Sequence, residues 1–264
     1  MNRLVNILKW IKHFTLKLID EQLAYLFDLL YSSNQKKHKL FIFGQGRSGS
    51  TLLESLLKST NYFESSGELL GPSPREVSDP FSYLNGLSKR SKKHFLFHLK
   101  IYHLNRERKK KKLNPHVFLN QLHADNWKMI YIKRENVIKQ QLSNYVAEKR
   151  GAYHKYDNKK EFFSLCINCK EFVDKVKERL MFLEAEKRII TKYPHIEIVY
   201  ENDLLKHESH QGTINRILRF LELPSVSVKT DLKKVNRQHI SDLVENYTEF
   251  ESCLKRNKWT RFIK

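Results

Sequence analysis

Leu40-Phe41-Ile42-Phe43-Gly44-Gln45-Gly46-Arg47-Ser48-Gly49-Ser50-Thr51 is the stretch from which the fold can be read. Four consecutive apolar residues, stopped by glycines at 44 and 46, have the make-up of a short buried strand. Leu52-Leu53-Glu54-Ser55-Leu56-Leu57-Lys58-Ser59 then carries the periodicity of a helix with one apolar face. A glycine-rich turn between a strand and a helix gathers backbone N–H groups at a helix N-terminus, a geometry suited to holding a phosphate.

Working outward, further strands are expected at 95–102, 129–133 and 196–200, with helical patterns around 51–59, 136–149, 161–191 and 212–222. Strands alternating with helices imply an α/β fold, a P-loop-type, mostly parallel sheet flanked by helices. Upstream, residues 4–31 read as an N-terminal amphipathic helix. Leu4, Leu8, Ile11 and Leu18 fall near one face, while Lys9, Lys12, His13 and Lys17 lie mainly elsewhere. That pattern suits a helix packed on its own domain, and equally an interfacial helix on an anionic bilayer. Its charges interrupt it too often for a signal-peptide core. The polar stretch 32–39 separates it from the rest, giving an expected layout of a helix and linker over 1–38 and a P-loop domain over 39–264.

With 264 residues, 40% of them hydrophobic and 12% aromatic, the chain can bury a full core. Lys and Arg number 49 against 29 Asp and Glu, a net charge of +20 that favours anionic partners, although a lysine-rich solvated surface accounts for part of it. No run of about 18 uncharged apolar residues occurs, so no membrane-spanning helix is expected. The three cysteines, Cys166, Cys169 and Cys253, do not make a disulfide framework. Cys166 and Cys169 have redox-motif spacing but fall inside the helical pattern without a preceding strand, and no histidine spacing completes a metal site. Phe162, Phe163, Phe172 and Phe182 read as helix core. The basic run Arg106 to Lys112 reads as an exposed loop or helix end.

Compared with the Walker A pattern G-x-x-x-x-G-K-[ST], Gly44, Gly49 and Thr51 fit, but Ser50 stands where the lysine belongs. A hydroxyl cannot replace the cation that serves the β- and γ-phosphates, which argues against an ordinary NTPase. Arg47 is the cation within the loop, and a phosphate monoester bearing a transferable group is the better ligand.

Gly44-Gln45-Gly46-Arg47-Ser48-Gly49-Ser50-Thr51-Leu52-Leu53 resembles the GxPRSGTTLL loop with which sulfotransferases bind the 5′-phosphosulfate end of 3′-phosphoadenosine 5′-phosphosulfate (PAPS). Gly46 replaces the usual proline and Ser50 the usual first threonine. The segment KRENVIKQQLSNYVAEKRGAYH, from Lys133, resembles the 3′-phosphate segment of bacterial carbohydrate and lipopolysaccharide sulfotransferases. There an arginine at a strand end precedes a helical serine by nine residues, the positions of Arg134 and Ser143. Asn136, Gln140 and Ser143 share one face of the expected helix, with Ile138, Leu142 and Val146 on the sheet side. Ile198 to Leu204, Phe220 to Leu223 and Val244 to Trp259 are similar to later segments of the same class, so the likeness runs from about residue 39 to the C-terminus.

The resemblance implies PAPS as donor, with Gly46, Arg47, Ser48, Gly49, Ser50, Thr51, Arg134 and Ser143 binding it and with no metal. Arg47, the loop amides, Ser50 and Thr51 would stabilise the departing bisphosphate. Glu68 is the first candidate for the general base that deprotonates an acceptor hydroxyl, and His103, in Lys100-Ile101-Tyr102-His103, is its rival. Lys100 either meets the transferring sulfuryl group or is a strand-end surface lysine. The expected acceptor is a carbohydrate or glycolipid, bound by loops at 70–94 and 106–125. The expected location is cytoplasmic, peripheral to an anionic membrane where the first helix meets one. Two alternatives stay open from the residues: a P-loop nucleotide kinase with an altered loop, and a non-enzymatic polyanion-binding domain. Nucleic acid is not the expected partner.

Overall fold

The computed structural model describes residues 2–32, 36–71, 75–151, 164–232 and 239–263, with the backbone alone over 2–8. Five strands, β1 (Lys39–Phe43), β2 (Phe63–Ser65), β3 (His94–Leu99), β4 (Trp127–Lys133) and β5 (His195–Val199), form one sheet in the order β2-β3-β1-β4-β5. Every pairing is parallel. Such a sheet is covered on both faces, and the strands show it. Phe41 and Phe43 of β1 point into one core with Phe97, Trp127 and Tyr131. Leu40 and Ile42 point into the other with Leu96, Ile130 and Ile198.

One face carries α1 (Asn2–Leu30), α3 (Pro80–Arg90), α5 (Pro115–Ala124) and the end of α7 (Cys169–Ile190); the other carries α2 (Ser50–Ser59) and α8 (Ser209–Phe220). A third apolar cluster joins α6 (Val137–Arg150) and α7 to α9 (Ile240–Leu243) and α10 (Tyr247–Arg256) through Ile138, Leu142, Phe172 and Phe250. The free cysteines include Cys253, buried in α10.

The register decides where the site forms. Phe43 is level with Leu99 and Tyr131, and Lys133 with Val199, so the chain leaves β1, β3, β4 and β5 at one edge. Because β1 is central and its neighbours lie on opposite sides, the crevice at its carboxyl end is a topological switch point.

Four expectations need correction. The strand expected over 95–102 stops at Leu99, and Ile101–Leu104 forms a single helical turn, α4, because Tyr102 is drawn back over the glycine turn. A short apolar run reads the same in either state. The helix expected over 161–191 begins at Cys169; residues 161–163 lie outside the described residues. Asn168 caps it by accepting from the Glu171 N–H at 3.0 Å. Cys166 therefore precedes the helix. The loops expected at 70–94 and 106–125 contain α3 and α5, each opened by an Asx-Pro pair. Asp79 accepts from the Phe81 and Ser82 amides, and Asn114 from those of His116 and Val117. Within the basic run, Arg108 is buried and donates to the Val77 and Lys111 carbonyls.

The amphipathic helix expected over 4–31 is present as α1, packed lengthwise on α3. Ala24 sits so close to Gly86 that a Cβ there would lie 1.7 Å from the Ala24 carbonyl oxygen. Buried Glu21 binds Arg75, accepts from the Tyr25 hydroxyl at 2.6 Å and from the Ser78 amide at 2.7 Å.

Candidate active site

The turn after β1 narrows the chain to fit its neighbours. Gly44 donates to the Leu99 carbonyl at 3.2 Å, Gly46 to the Tyr102 hydroxyl at 3.1 Å, and Gly49, at φ 96°, is the N-cap of α2. A Cβ at 49 would meet the Tyr200 ring at 2.7 Å, so glycine is required both for the left-handed backbone and for space. Arg47 also holds a positive φ, 66°. A side-chain residue in the left-handed region costs about 1 kcal/mol or more, and such positions cluster at functional sites.

The turn and the segment after β4 come together as the sequence predicts. Both Nε and Nη2 of Arg47 donate to Ser143 Oγ at 3.2 Å, and Arg134 donates to the Arg47 carbonyl at 3.3 Å. Gln140, one turn before Ser143 on the same face of α6, donates to the Gly46 carbonyl at 2.9 Å. Arg134 lies 4.7 Å over the Tyr200 ring and 3.6 Å from Glu201, whose carboxylate also accepts the Glu135 and Asn136 amides. Burial lowers the Arg134 pKa, offset by Tyr200 and Glu201. Its Nε is buried with no hydrogen-bond partner among the described residues. A buried guanidinium with an unspent donor, linked through Arg47 to a serine hydroxyl, fits a phosphate.

Gly46, Arg47, Ser50 and Thr51 open onto a cleft of about 850 Å³ that Glu68, Lys100 and His103 also line. Two expected binding residues are placed differently. The Ser48 hydroxyl is buried and donates to the Gln45 carbonyl at 2.6 Å, which leaves its part in anion binding to its amide. Arg134 lies beneath the turn, lining a small internal space with Gln45, Gln140 and Glu186.

Beside the turn in the same cleft, the three residues expected to act in transfer form one cluster. Lys100 is ion-paired with Glu68, and His103 Nε2 lies 3.6 Å from Glu68 and 3.7 Å from Glu107. Burial alone would raise the Glu68 pKa, but the Lys100 ammonium outweighs it and holds the carboxyl below its ordinary value. Burial, reinforced by Lys100, pushes His103 down to about 4, so its imidazole is neutral near pH 7. Glu68 is exposed toward the cleft, whereas His103 is almost fully buried. Lys100 is no isolated surface lysine: its Nζ would stand 3.6 Å from a Cβ at Gly46, against the turn.

Several residues at this site carried no signal in the sequence. Arg179 of α7 donates to the Gly46 carbonyl at 3.2 Å and to Gln141 at 2.6 Å; burial pushes its pKa down to about 10, with Arg134 and Arg47 acting the same way. Glu186, buried under the turn, is raised to about 8 by that burial. Glu54 and His98, 3.0 Å apart, line the cleft wall. Only the expected family pattern at 198–204 hinted at Tyr200 and Glu201, which occupy a π-helical turn after β5. No cluster of three or more His, Cys, Asp or Glu residues arranged to hold a metal ion occurs among the described residues.

The model of the sulfotransferase domain matches residues 37–261. No curated protein matches the chain in sequence. Among solved structures, a sulfotransferase from Alicyclobacillus acidocaldarius is similar at 9% identity and a TM-score of 0.48, over 86% of this chain and 96% of that one. Mouse sulfotransferase SULT7A1 complexed with PAP is similar at 12% identity and a TM-score of 0.45, over 91% of this chain and 87% of that one. The match over 37–261 covers the turn, Arg134, Ser143 and every strand of the sheet, and the chain belongs to the sulfotransferase family of PAPS-dependent enzymes.

Proposed function

We propose that this enzyme moves the sulfuryl group of PAPS to a hydroxyl of a carbohydrate, carried on a lipid or a polysaccharide. The observation that carries the reading is a glycine turn flanked by two differently equipped clusters. Arg134, beneath the turn, and Ser143 are both bonded to Arg47, and Glu68, Lys100 and His103 form a second cluster in the cleft onto which Arg47 opens. The donor supplies an activated sulfuryl group; the protein's part is to align it and handle the proton and the charge. The turn amides and the N-terminus of α2 hold the 5′ end, while Arg134 and Ser143 hold the 3′-phosphate. Glu68, ionised and facing the cleft, accepts the proton of the acceptor hydroxyl. Lys100, bound to Glu68 and adjacent to the turn, stabilises negative charge on the transferring group, and Arg47 that on the departing phosphate oxygen.

The lining of the cleft supports the acceptor class. Gln141, Asn144, Glu148, Glu171, Glu178 and Lys175 offer planar amides, carboxylates and an ammonium for hydroxyl groups, and Tyr145 and Phe182 supply ring surfaces. A polar, donor-rich and acceptor-rich wall with a few aromatic surfaces suits a sugar better than an apolar phenol or sterol.

Calorimetry with 3′,5′-bisphosphoadenosine in the presence of a chelator, followed by transfer of labelled sulfate to glycan and glycolipid extracts, tests the reading. Binding without magnesium and label in a carbohydrate fraction are expected. A requirement for magnesium and a preference for ATP would instead support the kinase alternative, and label confined to non-carbohydrate acceptors would refute the acceptor class.

A further inference from the structure

α1 uses only one side to pack on the domain. Its three carboxylates all face the domain: Asp20 pairs with Arg90 and Asp28 with Lys89 of α3, and Glu21 with Arg75 just before it. On the opposite side Leu16, Ile19, Leu23, Leu26 and Leu30 form a continuous ridge at three- and four-residue spacing, each between 43% and 63% exposed. Leu18 and Leu29 widen it. At about 100° per residue these side chains span roughly 160° of the helix surface, with exposed Thr15 and Gln22 the polar residues among them. Such an arc exceeds the narrow seam that pairs two helices, and it suits a planar apolar boundary. Exposed Lys9 and Lys12 continue the same ridge toward the N-terminus, and no carboxylate of α1 lies beside them. No helix among the described residues is long and apolar enough to cross a membrane.

We infer that the outer face of α1 docks on an anionic lipid bilayer, lying in its interface with the ridge inserted among the acyl chains and Lys9 and Lys12 at the phosphate level. Charge complementarity chooses this occupant. A second copy of the same face would oppose lysines to lysines if parallel, or set them against the leucine end of the ridge if antiparallel, in neither case with an acidic partner, whereas an anionic headgroup layer satisfies both. The placement has a consequence for the cleft. Lys17, on the inner side of α1, donates to the carbonyl of Gly71, a residue of the cleft lining, so a docked helix holds the cleft about one helix diameter from the bilayer. The docking itself does not rest on the sulfuryl-transfer reading and is tested without it.

The test is co-sedimentation of the full chain with vesicles of phosphatidylcholine alone or mixed with phosphatidylglycerol. Binding to the mixed vesicles, weakened by salt, is expected. Ile19→Gln with Leu26→Gln, both at exposed positions, should lower partitioning about tenfold. Lys9→Gln with Lys12→Gln should lower it about 25-fold on mixed vesicles and leave neutral vesicles unaffected, since each basic residue near an anionic surface contributes roughly fivefold. Circular dichroism and bisphosphate binding equal to the parent's confirm that the variants are folded. Failure to bind mixed vesicles overturns the inference, as does binding unchanged in the Gln variants. A dimer in sedimentation velocity, dissolved by Ile19→Gln and Leu26→Gln without vesicle binding, overturns it in favour of self-association.

Discussion

Glu186→Gln isolates a buried charge beneath the glycine turn. The parent carboxyl is enclosed by α7 and β4. Tyr131 donates to it at 3.4 Å, the Gln45 amide lies beside it and Arg179 is the nearby cation. Burial raises its pKa to about 8 from an ordinary 4.5, with Gln45, Tyr131 and Arg179 only partly opposing. The folded protein therefore holds the neutral acid. Below pH 4.5 both folded and unfolded chains are protonated and the group has no effect on stability. As pH rises from 4.5 to 8 the unfolded chain loses the proton and the folded one retains it, which costs about 1.4 kcal/mol per unit, approaching about 5 kcal/mol at the upper end. Glutamine keeps the shape and can still accept from Tyr131, but carries no charge. Urea denaturation over a pH series should show parent and variant alike in acid, with the variant gaining several kcal/mol by pH 8. Above that pH, ionised Glu186 opposes the anionic donor held by the turn. Donor affinity should then fall in the parent and stay level in the variant. A stability difference independent of pH, or one largest in acid, would refute the buried neutral acid.

Arg134→Ala removes the bond to the Arg47 carbonyl, the contact with Tyr200 and the donor assigned to the 3′-phosphate. Loss of one charged hydrogen bond, ~1.5–3 kcal/mol, should weaken bisphosphate binding roughly 10- to 150-fold in calorimetry, and unchanged affinity would remove Arg134 from the donor site. Glu68→Gln should cut kcat roughly 10²- to 10⁴-fold in a transfer assay with donor affinity retained; a rate equal to the parent's would assign the base to His103. Gly49→Ala places a Cβ against the Tyr200 ring and puts alanine in the left-handed region. It should abolish donor binding and lower Tm, and a variant that binds like the parent would show that the turn tolerates rearrangement.

What could be read in advance shared a physical character: its signal was contiguous. A strand, a glycine turn and a helix follow one another over 39–59, and the amides proposed to hold an anion belong to that same stretch. Arg134 and Ser143 are nine residues apart, one just past the end of β4 and one on α6, and α6 presents Ser143 as its periodicity requires, with Ile138, Leu142 and Val146 buried. The helix starts at Asp79-Pro80 and Asn114-Pro115 were present as cap signals, and the expectation of loops there passed over them.

Other features are properties of the packed sheet. Neighbours β1, β3, β4 and β5 are far apart in the chain, and their parallel register alone sets Lys100, Arg134 and Tyr200 around the turn. Arg179 and Glu186 lie on a helix whose periodicity describes burial, not which buried position will face a phosphate loop. The same limit applies to α1, whose amphipathic pattern allowed either a packed helix or an interfacial one; only its contact with α3 shows that one face is spent and the other is not. The sequence by itself determined the α/β class, the glycine turn between strand and helix and the spacing of Arg134 and Ser143, because local backbone geometry and short-range spacing encode them. The tertiary structure decided which distant charges surround that turn and which surfaces stay open, because those depend on strand order and on the dielectric environment that packing creates.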